Sequence, residues 1–158
     1  MKRKTKKSPT TIAKDHAWDA CSVYVRTRDA YNTCHGKTTW IEDKLGFTKE
    51  VLVGKCCTCN KEYRAFGQAC AQAGHFVPGR NASTLFDERG IHLQCFNCNK
   101  TLKGNPRKYQ SFMEVTYGQD LIDELDLLSD ITVQYDINDY IRIRKYFEDL
   151  TDELIRNN

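Results

Sequence analysis

Apolar and small residues recur at helical spacing near the N-terminus. From Ser8 onward they return every three or four positions, which predicts an amphipathic helix over residues 9–30. Ser8 followed by Pro9 is typical of a helix start, because serine caps free amide groups and proline fits the first turn. The stripe consists of Ile12, Ala13, Ala17, Ala20, Cys21, Tyr24 and Val25.

Three more helices are predicted in the last third of the chain. The first covers residues 106–117 and ends before Gly118, a residue type common just past a last helical turn. The second covers residues 120–128. The third covers residues 136–155, where Asp136 and Asp139 form a capping pattern ahead of an apolar stripe.

The region between the N-terminal and C-terminal helices has a different pattern. Two β-prone stretches, 37–42 and 47–53, are bounded by glycines and predict a short hairpin. Residues 56–105 are rich in Cys, Gly and Asn and show little periodicity. The chain therefore divides into a basic arm predicted to be disordered, a helix with a hairpin, a central block and a helical region, with the bounds 1–8, 9–55, 56–105 and 106–158.

Length and composition place the chain among globular proteins. It has 158 residues, 40% hydrophobic and 28% charged, which fits one compact domain with appendages. No run of about 18 apolar residues exists, so no membrane-spanning helix is expected. The basic run at residues 1–7 lacks the apolar core of a secretory signal, which predicts a cytoplasmic protein.

Charge is distributed unevenly along the chain. Residues 1–118 hold 20 Lys and Arg against 10 Asp and Glu, whereas residues 119–158 hold 4 against 11. A basic body suits a polyanionic partner such as nucleic acid. The acidic C-terminal region would be repelled by DNA, so we expect it to face solvent or another subunit.

Four of the eight cysteines form two CxxC pairs. Cys56 and Cys59 are separated by 35 residues from Cys95 and Cys98. Two residues between cysteines let a tight turn direct both sulfurs at one ion, and four thiolates complete the tetrahedral shell of Zn²⁺. A closed shell of this kind is structural, so the sequence predicts a structural zinc site that stabilises the central block.

The residues between and around these pairs carry a recognisable pattern. It consists of Ala73-Gly-His75-Phe76, Phe86-Asp-Glu-Arg-Gly-Ile-His92, Gln94-Cys-Phe-Asn-Cys-Asn99 and Gly104-Asn105. The pattern resembles the NinG/Rap recombination endonucleases of lambdoid phages and is similar also to phage endonuclease VII. The resemblance implies an α+β fold: a zinc-supported ββα-metal (HNH-like, treble-clef) core flanked by an N-terminal helix and C-terminal helices.

The resemblance also implies an activity and its catalytic groups. Such proteins cut branched recombination intermediates, Holliday junctions and D-loops, by hydrolysing phosphodiester bonds with Mg²⁺ or Mn²⁺. His75 corresponds to the general base and Asn99 to a ligand of the catalytic ion. Many nucleases of this type have aspartate where this chain has Gly74, so the candidates for a second ligand are Asp87, His92 and Glu88, with Asp87 preferred as a hard oxygen donor.

The expected partner is branched or duplex DNA. Arg80 and Arg89 are assigned to phosphate contacts, because a guanidinium group matches phosphate geometry, and Lys103 is assigned to DNA as well. Resolving a four-way junction takes two symmetric cuts, so we expect a homodimer. If the protein is phage-encoded, its location would be the cytoplasm of the host cell.

Other interpretations of the same residues stay open. A histidine after a zinc-binding loop is often structural, Asn99 is also suited to capping a helix, and the two arginines are also ordinary surface charges. At the level of function, an HNH nuclease of restriction or homing and a zinc-stabilised DNA-binding module without catalysis are the alternatives.

Overall fold

The computed structural model describes residues 7–79 and 81–158, so Arg80 and residues 1–6 of the predicted arm lie outside the described part. The fold is α+β, as predicted from the sequence. Its helices are α1 Pro9–Cys34, α2 Pro106–Tyr117, α3 Gln119–Ser129 and α4 Ile137–Arg156. Its strands are β1 Thr38–Glu42, β2 Thr48–Lys55, β3 Glu62–Arg64, β4 Gln72–His75 and β5 Ile91–Gln94.

The N-terminal helix begins where the sequence predicts and ends four residues later. Ser8 accepts a hydrogen bond from the Thr11 amide, and Pro9 occupies the first turn. At the other end His35 adopts a left-handed conformation and its amide donates to Tyr31 O. The buried side of α1 meets α4 and the β4–β5 hairpin in one apolar cluster, made of Cys21, Val25, Ala73, Ile91 and Phe147.

The predicted hairpin is present as β1 and β2, and a third strand extends it. β1 pairs with β2 and β2 pairs with β3, both antiparallel, so β2 is central. α1 crosses this sheet closely at Gly54. A Cβ on residue 54 would lie 2.8 Å from Leu93 Cδ1 and 3.0 Å from Ala30 Cα, so only glycine permits this approach.

Within the described residues, the second sheet consists of β4 and β5. Gly74 pairs with His92 and His75 pairs with Ile91, and directly paired residues share a face of an antiparallel sheet. The His75 face packs against α1. The His92 face packs against three aromatic side chains of α2, which are Tyr109, Phe112 and Tyr117. This two-stranded hairpin therefore lies between the first and second helices.

The C-terminal helices follow the sequence pattern closely. α2 has the predicted bounds, and α3 is one residue longer than predicted at each end. The side chains of Asp136 and Asp139 form a reciprocal capping box at the start of α4. Among the described residues, no helix is both long and apolar enough to cross a membrane.

Candidate functional site

The four paired cysteines meet in space although they come from two separate loops. Cys56 and Cys59 directly follow β2, and Cys95 and Cys98 directly follow β5. Their sulfurs all lie within 4.8 Å of one another, and the Cys59 and Cys95 sulfurs are 4.0 Å apart. A tetrahedron with Zn–S bonds of about 2.3 Å has edges of about 3.8 Å. The cluster therefore has the size and the donor set of a structural zinc site.

Hydrogen-bonding groups surround these sulfurs. The Cys98 amide donates to Cys95 Sγ, Asn105 Nδ2 donates to Cys98 Sγ, and Thr58 Oγ1 lies 3.2 Å from Cys56 Sγ. Donors of this kind stabilise thiolates, which are the form that binds metal. The arrangement accounts for the Gly104-Asn105 pair in the motif, because Asn105 contacts the cysteine cluster directly.

Ionisation of the four thiols is uneven. Burial opposes the charge, but hydrogen bonds from Thr58 and from backbone amides lower the pKa of Cys56 to about 7. Burial together with the neighbouring sulfurs raises the pKa of Cys59 to about 12 and also raises that of Cys98. Crowded thiolates repel one another, so a dication at their centre would remove the obstacle.

The remaining cysteine of the first loop, Cys57, points away from the other four sulfurs. Cys57 packs against the cluster that contains Val77 and Tyr109, and burial raises its pKa strongly. Cys21 is fully buried on α1. Neither takes part in the metal cluster.

His75 and Asn99 line a shared depression beside the cysteine cluster. Its volume is about 250 Å³, and its polar side chains include those of His75, Asn99, Lys100 and Lys103. β4 supplies the histidine, and the helical turn Asn97–Thr101, which follows β5, supplies Asn99. Residues that are 24 positions apart in sequence are thus brought to one cavity by the zinc-type cluster and the hairpin.

The imidazole of His75 is held from two sides. Its Nε2 lies 3.1 Å from Leu85 O, and its ring stacks on Trp18 with centroids 4.7 Å apart. A carbonyl oxygen only accepts, so the tautomer that makes this bond carries its proton on Nε2 and its lone pair on Nδ1. In that tautomer, an imidazole oriented in this way has the form required of a general base.

The amide of Asn99 is also oriented. Its Nδ2 donates to Gln72 Oε1 at 2.8 Å, which directs Oδ1 away from Gln72. Among the described residues, none donates a hydrogen bond to that oxygen. Asn99 therefore offers one neutral oxygen ligand, in addition to any role in the helical turn.

The position before His75 has no space for a side chain. A Cβ on residue 74 would lie 2.1 Å from Gln94 Oε1. Gln94 is fully buried, and its Nε2 donates to Gly104 O and to Thr58 Oγ1. The carboxylate that many ββα-metal nucleases have at this position is therefore excluded here by the packing of the strand.

The predicted second ligand Asp87 lies in a different environment. Its carboxylate caps the 3-10 helix Glu88–Gly90 and accepts two hydrogen bonds from the Arg89 guanidinium. Arg89 in turn pairs with both carboxylate oxygens of Glu124 on α3. Asp87, Glu88 and Arg89 line another depression, between the 3-10 helix and α4, so they are not brought to His75. Their metal and phosphate roles stay predictions.

His92 is also separated from the His75 depression. It is buried, its Nε2 lies 3.1 Å from Arg89 O, and its Nδ1 lies 3.1 Å from Arg28 Nη2. Asp29 Oδ2 is 3.4 Å from the same nitrogen. Both ring nitrogens are thus in contact with protein groups, which favours a structural part over metal ligation.

A run of basic side chains leads away from the depression. Lys100, Lys103, Arg107 and Lys108, here called the basic stretch, are all exposed, and none forms an ion pair with a described residue. No acidic residue occurs between Asn99 and Glu114. Lys103, assigned to DNA from the sequence, is thus one of four exposed cations within nine consecutive residues, and Lys100 and Lys103 line the depression. Arg80, assigned to the same role, lies outside the described residues.

Three groups at this site were missed from the sequence. Trp18 and the carbonyl of Leu85 orient His75, and Gln72 orients Asn99. Gln72 precedes His75 by three positions, and the sequence alone could have singled it out as a polar residue in a short strand. A backbone carbonyl leaves no trace in a sequence, and Trp18 lies 57 positions away.

Fold and site together define an α+β protein in which a four-cysteine cluster supports a β-hairpin bearing an oriented histidine. The family model described as Bacteriophage Lambda NinG protein matches residues 64–157, more than half of the chain. The chain belongs to the NinG family, and this membership points to a phage protein related to recombination. No curated protein and no solved structure matches it. The matched segment begins at the end of β3. It therefore includes Cys95 and Cys98 but not α1, Cys56 or Cys59.

Proposed function

We propose that this NinG family member is a metal-dependent DNA endonuclease that cuts branched recombination intermediates such as Holliday junctions and D-loops. One observation carries the proposal: His75 and Asn99 line the same depression, and the His75 ring is oriented by the contact of its Nε2 with Leu85 O. The order of β4, β5 and a helical turn bearing Asn99 is the order of a ββα-metal unit. The family membership supports a role in recombination.

His75 is the general base in this proposal. Its Nδ1 accepts a proton from a water molecule, whose oxygen then attacks the phosphorus of the scissile phosphodiester. The bond from phosphorus to the leaving oxygen breaks, and that oxygen takes its proton from solvent. Leu85 O and Trp18 hold the ring so that the lone pair keeps its direction. Lys100 and Lys103 attract the phosphate to the depression by charge.

The expected Mg²⁺ or Mn²⁺ would have one protein ligand here, Asn99 Oδ1. Among the described residues that line the depression, none is Asp or Glu, so the donor set fits an ion held mainly by water and by phosphate oxygens of the substrate. When bound, such an ion neutralises charge on the phosphate and on the leaving oxygen. We therefore expect tight metal binding only with DNA present.

The cleavage test uses three substrates with the same arm sequences: a four-way junction, a D-loop and a linear duplex. We expect the wild-type protein to cut the branched substrates with Mg²⁺ or Mn²⁺, and His75→Ala to bind them and lose cutting by at least about a hundredfold, the scale of general base catalysis. The matched control is His16→Ala, an exposed histidine on α1, which should cut normally.

Each other outcome selects an alternative. Equal cutting of the linear duplex would replace the recombination role by another HNH activity, such as restriction or homing. Binding of junctions without any cutting under either ion would leave a zinc-stabilised DNA-binding module. Sedimentation of the protein with and without a junction tests the expected homodimer, which would appear as two chains on one junction.

A further inference from the structure

Phe96 is a large apolar side chain on the surface, three positions before Asn99 of the proposed active site. It lies inside the second CxxC loop, between Cys95 and Cys98, and 62% of its surface is exposed. It belongs to none of the apolar clusters, and among the described residues it makes no ring contact. Asn99, three positions later, already lines the His75 depression.

The backbone around Phe96 is held firmly. The Cys98 amide donates to Cys95 Sγ, and the Asn99 amide donates to Cys95 O at 2.9 Å. Phe96 comes immediately before the helical turn Asn97–Thr101 and already has helical backbone angles. Its ring is thus presented to solvent from a part of the chain whose position the cysteine cluster determines. A rigid mount of this kind reduces the entropy lost when a side chain binds a partner.

The surroundings of Phe96 indicate what this partner is. The basic stretch begins four residues further along, with Lys100, and its four cations have no acidic residue among them in sequence. Leu102, within the stretch, is also 47% exposed. Apolar side chains flanked by unpaired cations suit nucleic acid, since cations hold the backbone while an apolar wedge enters between bases.

We propose that Phe96 is a wedge that stacks against unpaired or unstacked bases at the branch point of DNA, and that it sets the preference for branched over linear substrates. This rests on the proposed DNA binding, but not on catalysis. A branch point already has interrupted stacking, so inserting a ring there costs little, whereas a continuous duplex must first be unstacked. The basic stretch contributes to both substrates equally because it contacts phosphates.

The test measures binding of the full-length protein, loaded with zinc, in buffer free of Mg²⁺ and Mn²⁺ so that no cutting occurs. The probes are a four-way junction and a linear duplex of the same arm sequence. The junction carries 2-aminopurine in a base pair next to the branch point, and the duplex carries it at the corresponding position. We expect Phe96→Ala to weaken junction binding about tenfold, the scale of one stacked base, and duplex binding less than twofold. The rise in 2-aminopurine emission on junction binding should vanish in this variant.

Three control variants separate the wedge from other effects. Phe47→Ala removes a ring of similar exposure, 69%, from the β1–β2 hairpin and should change neither affinity. Phe96→Trp should keep the junction preference. Lys100→Ala should weaken junction and duplex alike and reduce the salt dependence of both. Zinc content and melting temperature of each variant confirm that the Cys95–Cys98 loop is intact.

The outcomes distinguish this inference from the proposed nuclease function. If Phe96→Ala binds junction and duplex as wild type does, or loses both equally, the wedge is wrong and the nuclease stands. A loss of junction preference in a protein that never cuts DNA would uphold the wedge and contradict the nuclease. Failure of the wild-type protein to bind either probe would overturn both.

Discussion

Gly74, which precedes His75, and Gln94, which lies against Gly74 on the neighbouring strand, are as constrained as the histidine itself. Gly74 lies against the Gln94 side-chain oxygen, and its own carbonyl accepts a hydrogen bond from Tyr109 Oη at 2.7 Å. Gln94 cannot rotate away freely, because its amide nitrogen is bound to Gly104 O. The strand that carries His75 is thus held at a fixed distance from β5 and α2, and a side chain at position 74 would push it out of place.

Gly74→Ala should therefore destabilise the protein by about 1–3 kcal/mol, the usual cost of overpacking a filled core. In a Gln94→Ala background the space is open, so the same change should cost much less, and the difference measures their coupling. Urea unfolding of the four proteins in zinc-containing buffer gives these values. An equal cost in both backgrounds would mean that Gln94 is not the obstacle. For the same steric reason, the substitution Gly74→Asp should not create a usable second metal ligand.

At the scale of elements, α1 braces the β4–β5 hairpin at two places. Trp18 on its first half stacks on His75, and Asp29 on its second half reaches β5. Asp29 Oδ2 accepts the Leu93 amide at 2.6 Å, and Oδ1 accepts a hydrogen bond from Arg28 Nε. Burial would raise the pKa of Asp29, but the contact with His92 and the charge of Arg28 hold it below its ordinary value. The carboxylate is therefore the form that the fold stabilises.

Asp29→Asn should destabilise the protein by about 3 kcal/mol at neutral pH, because Arg28 stays buried without its partner charge. The folded-state pKa is lowered, so the stabilisation is complete above the ordinary value of 3.8 and is lost as pH falls through the lower folded value. Unfolding free energies of both proteins, measured at steps from pH 8 downwards, should differ by a constant amount until about pH 4. A gap that closes already near pH 6 would contradict this.

The sequence predicts elements well where their signals are local. Ser8-Pro9, the Asp136–Asp139 pair and Gly118 mark helix ends within a few neighbouring residues, and the helix bounds agree closely with the structure. The four-cysteine cluster follows from spacing in the same way. Two kinds of feature could not be predicted. β3 has three residues, which is too few to show a pattern, and the Arg28–Asp29–His92 network joins parts of the chain more than 60 residues apart. His92, a candidate metal ligand in the sequence analysis because Gly74 replaces an expected aspartate, belongs to this network.

For the whole molecule, the cysteine cluster is the junction between its two sheets. Cys56 and Cys59 continue from β2 of the first sheet, and Cys95 and Cys98 continue from β5 of the second. Contacts then run from Cys56 through Thr58 and Gln94 to Gly104, which follows Lys103 within the basic stretch. The cysteine cluster is thus connected to Gly104, which lines the His75 depression. Among the described residues, the apolar group that packs against the cluster besides the cysteines is Tyr63.

Loss of zinc should consequently unfold the central block of the protein. Structural zinc contributes about 10 kcal/mol or more to folding, which is comparable to the whole stability of a small domain. We expect one zinc per chain in the wild-type protein and none in Cys95→Ser, together with loss of a cooperative thermal transition. Cys57→Ala is the matched control, since its sulfur faces Val77 and Tyr109, and it should keep one zinc and nearly the wild-type melting temperature. Elemental analysis and calorimetry check both, and a fully folded, zinc-free Cys95→Ser protein would show that packing alone holds the His75 hairpin.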